Sequence, residues 1–454
     1  MRGRDLTQGD IRRTLINLAL PIMATSLINM LYNITDMMWL GRLSKDAVAA
    51  AGTVGYFTSL AAGIMLIVQT GAGIGVAQAY GRKDQEGLSK YISNGLRLNL
   101  IFALAYCLFL FSFRKNLIGF FKIDNPRVVD SAIAYLEIIA LGLVFQFFNP
   151  VFSSIFNGIG NSLTPFRINS VGLITNIILD PVLIFGLGPF PRLGIRGAAL
   201  ATSLAQLVVL VLFSLEIVRN REFFKGVKIF TRFDWPLVGK IVGLGFPGFL
   251  ETTLRTSIGI VMLKILAGWG STAMAVQSIG IQIESLSWMT AKGFASALTA
   301  FAGQNYGIGN ISRVREGYRK GIRIVGTIGL AVGLVFIVFG AGIFSLFIPG
   351  DGVAIDMGAN YLRILAYSQV FMCIEIATMG TFNGVGRPVI PSVISVVLNF
   401  FRIPLSLFLS AGPLGLDGIW WSISATSIFK GILSYPLCNY TLASLDGGDR
   451  PSKS

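Results

Sequence analysis

Two aspartates stand inside long apolar stretches of the sequence, where a charge is costly. Asp36 lies late in the first such stretch and Asp180 lies in the middle of the fifth. Neither has a basic residue three or four positions away, so no ion pair within the same helix neutralises either carboxylate. Ionisable groups in hydrocarbon are rare and mark proton and ion pathways. We predict that both acids bind a coupling cation; a purely structural buried pair is the alternative.

Polar side chains flank both acids along the chain. Tyr32 and Asn33 lie one turn before Asp36, and Asn176 lies one turn before Asp180. Burial penalises the charged form of a carboxylate, and two neighbouring carboxylates hinder each other's ionisation, as a proton site requires. Carboxylate, amide and hydroxyl oxygens would suit a sodium ion equally well. The sequence therefore leaves H+ and Na+ open as the coupling ion, and it predicts no other metal.

The elements that carry these acids are membrane-spanning helices. The chain is 53% hydrophobic and 13% charged, whereas about 25% of residues are charged in a soluble domain. Apolar runs of about 20 residues, enough to cross a bilayer, recur along almost the whole sequence. We predict an all-α integral membrane protein with helices at about 14–40, 46–79, 89–113, 128–157, 162–188, 195–218, 237–267, 272–303, 314–347, 354–383, 389–410 and 416–441.

The second half of the sequence repeats landmarks of the first half at one constant offset. Pro21 recurs as Pro247, the Gln-x-Tyr-Gly stretch 78–81 recurs at 304–307, and the Asn-Gly-x-Gly stretch 157–160 recurs at 383–386. We predict an N-terminal lobe at 1–218, a cytoplasmic linker at 219–236 and a C-terminal lobe at 237–454 with a short tail. An even number of helices per copy puts a pseudo-two-fold axis along the membrane normal. Two such bundles would face a central cavity and rock to give alternating access.

The acids do not repeat, although the prolines and glycines do. The counterpart of Asp36 is Met262 and that of Asp180 is Ile403, whereas Asn176 is matched by Asn399. The shared scaffold therefore does not require the acids, which favours a functional role for them. Pro21 and Pro247 each remove a helix hydrogen bond; a static kink and a moving hinge both remain open.

Charge placement and residue usage exclude several other classes of protein. The net charge of +15 comes from loops between apolar segments, and the bias of these basic residues toward one side of the membrane predicts that both termini are cytoplasmic. This distribution does not favour nucleic acid as a partner. The chain has three cysteines, no histidine and no nucleotide-binding loop motif. We expect no cofactor and no enzymatic activity, no cleaved signal peptide, and a monomer.

Taken together, these residues resemble the multidrug and toxic compound extrusion (MATE) family, most closely its DNA-damage-inducible-F-like prokaryotic branch. The resemblance runs from about Leu15 to Leu442 and depends on the repeated motifs above, on Asp36 and on Asn176-x-x-x-Asp180-Pro181. It implies a proton- or sodium-coupled antiporter that exports cationic, amphipathic compounds. It also extends the coupling site to Thr202 (or the adjacent Ser203) and Tyr32, and the substrate cavity to Asn149 and Tyr135. An ordinary interhelical hydrogen bond is the alternative role for each of these polar residues.

The second half carries its own charges, which we interpret mainly as a structural network. Glu251 and Arg255 are four residues apart, so they can pair on one helix face. Some family members couple through an acid at the position of Glu251, but their second acid corresponds here to Met372, and Glu375 lies one turn further on. Glu284 completes the acids of this proposed network.

Three other functions compete with antiport. A flippase for lipid-linked saccharides of the same superfamily would present a strongly cationic cavity, whereas the unpaired charges of the first half are acidic. An intramembrane enzyme would need a nucleophile motif or metal-ligand spacing that the sequence lacks. A channel remains conceivable, but two rocking repeats fit a carrier better.

Overall fold

The computed structural model describes residues 3–220, 224–228 and 232–446, and helices dominate this part of the chain. The twelve predicted helices are confirmed, and their ends differ from the predicted ends by a few residues. Parts of the predicted linker (221–223 and 229–231) and of the C-terminal tail (447–454) lie outside the described residues. The helices are α1 (Ile11–Leu43), α2 (Lys45–Gly81), α3 (Gln85–Gly119), α4 (Pro126–Gly158), α5 (Leu163–Phe185), α6 (Ile195–Arg219), α7 (Trp235–Ala267), α8 (Ser271–Gly307), α9 (Ile311–Phe347), α10 (Gly352–Gly384), α11 (Val389–Ser410) and α12 (Leu416–Asp446).

The repeat extends to the residues that start the helices. Asp84 caps α3 by accepting from Gly87 N at 2.8 Å, and its counterpart Asn310 caps α9 by accepting from the amide of Arg313 at 3.0 Å. Helices α4 and α10 are capped in the same way by a second pair of counterparts, Asn125 and Asp351. A side-chain acceptor satisfies one of the backbone amides that every helix start leaves without a partner.

Turns with left-handed backbone also recur at equivalent positions of the two copies. Gly160 has a φ of 81° and Gly386 one of 75°, each in the Asn-Gly-x-Gly turn after α4 or α10. This conformation costs an L-residue about 1–2 kcal/mol, which explains the glycine in both copies. The turn after α2 is an exception, because Lys83 adopts a φ of 57° where its counterpart Gly309 has 79°.

The chain divides into two compact units, and two of its helices, α1 and α7, each have residues in both units. Unit 1 comprises Met1–Asp5 and Ala24–Phe249, and unit 2 comprises Leu6–Met23 and Leu250–Ser454. The units therefore differ from the sequence halves 1–218 and 237–454, since α1 and α7 each contribute to both. The changes of unit come two residues after Pro21 and Pro247, where a missing amide hydrogen bond weakens the helix.

Equivalent helices organise the two units. In unit 1, α4 packs against α2, α3 and α6, and in unit 2, α10 packs against α8, α9 and α12. Around α4 the buried side chains include Phe147 and Phe156, and around α10 they include Tyr361 and Phe382. These two central helices fix the positions of the polar residues described below.

Nine of the twelve helices in the described part of the chain are long and apolar enough to cross a membrane. The other three, α7, α8 and α12, carry charged residues within their length. The protein is a multi-pass membrane protein.

Candidate functional site

The two aspartates predicted to bind a cation meet inside unit 1. Asp36 is supplied by the last third of α1 and Asp180 by α5, where it is 1% exposed. The two carboxyl groups are close enough for their charges to interact. Two ionised carboxylates at close range repel each other, so the pair favours binding of a proton or a cation.

Polar groups from three helices surround the pair. Asn176, fully buried one turn before Asp180, donates to Asp180 Oδ1 at 3.3 Å. On the other side, Thr202 Oγ1 of α6 donates to Asp36 Oδ2 at 3.3 Å. Tyr32 of α1 donates to the backbone carbonyl of Thr202, also at 3.3 Å. The residues predicted for the coupling site thus lie together.

Three oxygen atoms in this cluster have no hydrogen-bond donor among the described residues. They are Asp36 Oδ1, Asp180 Oδ2 and Asn176 Oδ1, and each is shielded from solvent. A buried acceptor without a donor costs free energy, and two buried carboxylates cost more unless a positive charge compensates them. Carboxylate, amide and hydroxyl oxygens are the donor set that a hard cation prefers. The cluster can therefore accept a proton or a small cation.

Tyr135 and Asn149 of α4 take different positions relative to the acids. Tyr135 is buried and close enough to feel the charges of both Asp36 and Asp180. Asn149 faces elsewhere: its amide donates to Asn169 Oδ1 at 3.0 Å and to Gln206 Oε1 at 3.3 Å. Asn149 has no hydrogen bond to either acid among the described residues.

Gln206 connects these groups and was missed in the sequence. Its Oε1 accepts from Asn149 at 3.3 Å, and its side chain lies near Tyr32, so it stands between the acid cluster and the polar group on α4. It lies four residues after Thr202, on the same face of α6. That spacing is the signal that could have identified it.

The repeat-equivalent positions in unit 2 are apolar and packed. Met262, the counterpart of Asp36, is 3% exposed within a hydrophobic core, and Ile403, the counterpart of Asp180, packs against the same core. The fold is thus satisfied by methionine and isoleucine at these two positions. The repeated scaffold therefore does not require an acid at either position.

Unit 2 holds a separate charged cluster whose acids all have polar partners. Lys430 of α12 forms an ion pair of 3.0 Å with Glu375. Glu251 accepts from Ser395 at 3.0 Å and forms no ion pair with Arg255 among the described residues. Glu284 accepts from Gln369 at 3.4 Å. Lys430 was missed in the sequence, although a lysine amid the apolar residues of α12 was a visible signal.

A family model described as MatE matches the chain twice, at residues 21–182 and 247–408. The second match is displaced from the first by the same amount at its start and at its end, and this displacement is the offset of the landmarks in the sequence. The first match begins at Pro21 and the second at Pro247. The internal repeat is therefore confirmed.

Relatives of similar length are known from bacteria. The chain is 29% identical over 426 residues to "Probable multidrug resistance protein NorM" of Thermotoga maritima, covering 93% of this chain and 91% of that protein. It is 25% identical over 445 residues to the "FAD transporter" of Shewanella oneidensis, covering 95% of each.

A solved structure shares the fold. It is the outward-facing conformation of a multidrug resistance MATE family transporter of the MOP superfamily, with a TM-score of 0.88 and 23% identity, and the match covers 98% of this chain and 99% of that one. The predicted architecture of twelve membrane helices in two repeated bundles is confirmed by this likeness.

Proposed function

The chain belongs to the MATE family, and on that premise we propose that it is a secondary active antiporter that exports amphipathic small molecules, cations among them, in exchange for H+ or Na+. Proteins of this family are transporters and not enzymes. The observation that carries the proposal is that three buried oxygens, on Asp36, Asp180 and Asn176, have no hydrogen-bond donor among the described residues. The two carboxyl groups also have no ion pair in that part of the chain, so no positive charge compensates them there.

Ion and substrate would exclude each other at this site. A proton or Na+ on the acid pair supplies the missing charge, and an empty pair attracts a cationic substrate instead. Because each ligand lowers the affinity for the other by the same factor, entry of the ion from outside would promote release of the substrate. Thr202 and Tyr32 hold Asp36 in place for either occupant.

Alternating access would use the places where the two long helices change unit. Pro21 lies about four turns before Asp36 on α1, which corresponds to about 22 Å along a helix. We propose that occupancy of the acid pair reshapes α1 near Pro21 and that Pro247 serves the same purpose in α7. The change of unit two residues after each proline supports a hinge at both.

The names of the relatives support a broad range of substrates. Those proteins are described as multidrug resistance proteins and, in one case, as an FAD transporter, so we do not restrict the substrates to cations. A lipid-linked saccharide flippase is less well supported, because the uncompensated charges in unit 1 are acidic. Neither H+ nor Na+ is favoured by the donor set.

We propose the cytoplasmic (inner) membrane of a prokaryote as the location, with both termini inside and a monomer as the working form. Lys and Arg are concentrated in the segments that lead from an even-numbered helix to the next odd-numbered helix, and basic segments favour the cytoplasmic side. The opposite orientation would place most of these basic residues outside the cell.

Efflux from proteoliposomes tests the coupling directly. The purified chain would be reconstituted with ethidium, and efflux would be followed under an imposed pH or Na+ gradient for wild type, Asp36→Asn and Asp130→Asn. Asp130 is an exposed acid near the start of α4, so its variant controls for loss of a carboxylate. We expect Asp36→Asn to lose the response to the gradient and Asp130→Asn to keep it. If Asp36→Asn transports as well as wild type under both gradients, the mechanism is wrong.

A further inference from the structure

A cavity of about 560 Å³ lies in unit 1, between the start of α3 and the segment that leads into α7. Ligand sites in proteins occupy about 300–1,000 Å³, so the cavity is large enough to hold a ligand. Five basic residues and two acids are part of its lining, which gives the lining a net charge of +3. The basic residues are Lys90, Arg97, Lys225, Lys228 and Arg232.

One face of α3 holds the backbone of the segment before α7 in place. Ser89 Oγ donates to the carbonyl of Lys225 at 2.8 Å, and Ser93 Oγ accepts from Lys228 N at 3.0 Å. The two serines are four residues apart, so they lie on the same face of the helix. Because the backbone is fixed in this way, the exposed side chains of both lysines stay beside the cavity.

Arg97 is the most buried basic residue of the lining, at 8% exposed. Its Nε donates to the carbonyl of Ser93 at 3.1 Å, and its Nη1 donates to the carbonyl of Arg232. The counterpart of Arg97 in the second copy, Arg323 of α9, is exposed. The segment before α7 therefore covers Arg97 and completes the cavity.

The positive charge of the cavity exceeds what its two acids can compensate. Glu86 forms an ion pair of 2.7 Å with Lys90, and Asp234 accepts from an amide in the first turn of α7 at 3.2 Å. Neither Lys225 nor Arg232 forms an ion pair with any residue that the structure describes. Lysine and arginine side chains in such a position suit the oxygens of a phosphate group.

Aromatic contacts join the cavity to the first residue of α7. The guanidinium of Arg97 lies 5.4 Å from the centre of the Phe233 ring. That ring stacks on Trp235, with 5.3 Å between the ring centres and 27° between the planes. Trp235 is 71% exposed, and tryptophan at the end of a membrane helix is typical of the membrane–water interface. The cavity therefore lies at the level of the lipid headgroups.

We propose that this cavity binds the headgroup phosphate of an anionic phospholipid, with Lys225 and Arg232 as its main contacts. Basic pockets beside membrane helices suit acidic headgroups, and the exposed indole of Trp235 offers an apolar surface for the acyl chains. In the orientation proposed above, the lipid belongs to the cytoplasmic leaflet. This inference goes beyond the proposed function, since it concerns a lipid and not the ion or the exported compound.

Lipid binding to the full chain, purified in detergent, tests this inference. Native mass spectrometry would give the affinities for the first bound molecule of phosphatidylglycerol and of phosphatidylcholine with the same acyl chains. Each basic residue near an acidic headgroup contributes about fivefold in affinity. We therefore expect wild type to prefer phosphatidylglycerol, and Lys225→Gln/Arg232→Gln to bind it about tenfold more weakly or worse, with phosphatidylcholine binding unchanged.

Three further variants distinguish a lipid site from general effects of charge. Arg82→Gln/Lys83→Gln removes two exposed basic residues of the turn before α3, outside the cavity lining, and should keep the preference. Glu86→Gln releases Lys90 and should strengthen phosphatidylglycerol binding, whereas a disturbed cavity would weaken it. Glu316→Gln removes the acid of a similar pair on α9 and should have no effect. Gel filtration and thermal unfolding would show that each variant is folded.

Inorganic phosphate, added in large excess, tests for a soluble source of the anion. Full displacement of phosphatidylglycerol by phosphate would mean that the cavity binds a free anion, which overturns the assignment to a lipid. Equal affinities of wild type for the two lipids, or equal losses in the two double variants, also overturn it. A preference that resists phosphate and is lost only in Lys225→Gln/Arg232→Gln supports it. None of these measurements uses an ion gradient, so their outcome is independent of the proposed antiport.

Discussion

Thr202 donates a hydrogen bond of 3.3 Å to Asp36, across the space between α6 and α1. Its neighbour Ser203 does not reach the acids; it donates to the carbonyl of Ala199 at 2.8 Å, within its own helix. The two residues were equivalent candidates in the sequence. The structure brings only Thr202 to the acid pair.

Replacing Thr202 with valine should change ion coupling while preserving the shape of the side chain. A hydrogen bond to a charged group contributes about 1.5–3 kcal/mol, so we expect at least a roughly tenfold shift in the ion concentration for half-maximal efflux of ethidium. The shift should be upward for Na+, which loses a ligand oxygen, and downward for H+, because the hydroxyl donates to the ionised form of Asp36. Proteoliposomes with graded pH or Na+ gradients would measure that value.

Ser203→Ala is the matched control for this prediction, since it removes a hydroxyl one position away. Its ion dependence should equal that of wild type. Equal effects of Thr202→Val and Ser203→Ala would mean that α6 responds to any lost hydroxyl, and the role assigned to the contact between Thr202 and Asp36 would be wrong.

The buried ion pair of Lys430 and Glu375 should be costly to break from one side. The two side chains are 9% and 8% exposed at a separation of 3.0 Å. Lys430→Met leaves an uncompensated buried carboxylate, which costs about 3–5 kcal/mol, so the thermal unfolding temperature in detergent should fall clearly. The double variant Lys430→Met/Glu375→Met removes both charges and should recover most of the loss.

An exposed pair in the same unit provides the comparison. Lys320 and Glu316 pair at 2.8 Å on α9, with side chains 36% and 56% exposed. Exposed pairs of this spacing contribute about 0.5 kcal/mol or less, so Lys320→Met should leave the unfolding temperature nearly unchanged. A double variant at Lys430 and Glu375 that is no more stable than Lys430→Met alone would refute the explanation by an unpaired charge.

The fold could be predicted from the sequence because the patterns that specify it are local or periodic. Apolar runs of bilayer length defined the helices, and a constant offset between matching landmarks defined the repeat. The division of α1 and α7 between the two units could not be predicted. It depends on which surfaces those helices contact, and a continuous apolar stretch carries no information about that.

The sequence predicted those features of the site that depend on a single helix, but not the contacts between helices. Asp36 and Asp180 stood out because a charge in an apolar run is costly wherever it packs. Partners on other helices were harder to identify: the four-residue spacing favoured Arg255 for Glu251, but Ser395 of α11 donates to Glu251 instead. Gln206 and Lys430 were missed because their importance lies in contacts between helices.

The turn after α8 should be sensitive to any residue with a Cβ atom. Gly309 has a φ of 79°, and a Cβ built on it would meet nothing within 4 Å. Gly309→Ala therefore changes only the backbone preference, and we expect a loss of about 1–2 kcal/mol in the free energy of unfolding. At the equivalent position after α2, Lys83 has a φ of 57°, and Lys83→Gly should be stabilising or neutral.

Gly326 provides the control, because it lies within α9 and its Cβ would also meet open space. In a helix interior alanine is favoured over glycine by about 1 kcal/mol, so Gly326→Ala should stabilise the chain or leave it unchanged. The opposite signs of the two glycine variants, measured by thermal unfolding in detergent, constitute the test. A loss of stability in both would remove backbone conformation as the cause.

Two polar residues of α3, Ser93 and Asn94, should control how readily a protease cuts the segment before α7. Ser93 accepts from Lys228 N at 3.0 Å, and Asn94 accepts from the amide of Asp234 at 3.1 Å. Each bond contributes about 1 kcal/mol, and cleavage follows the population of the opened segment when opening is fast. The double variant Ser93→Ala/Asn94→Ala should therefore be cut by trypsin at Lys228 about tenfold faster or more, as mass spectrometry of the fragments would show. Ser170→Ala, which removes a hydroxyl that bonds within α5, should be cut at the wild-type rate; equal rates for all three proteins would mean that these contacts do not hold the segment in place.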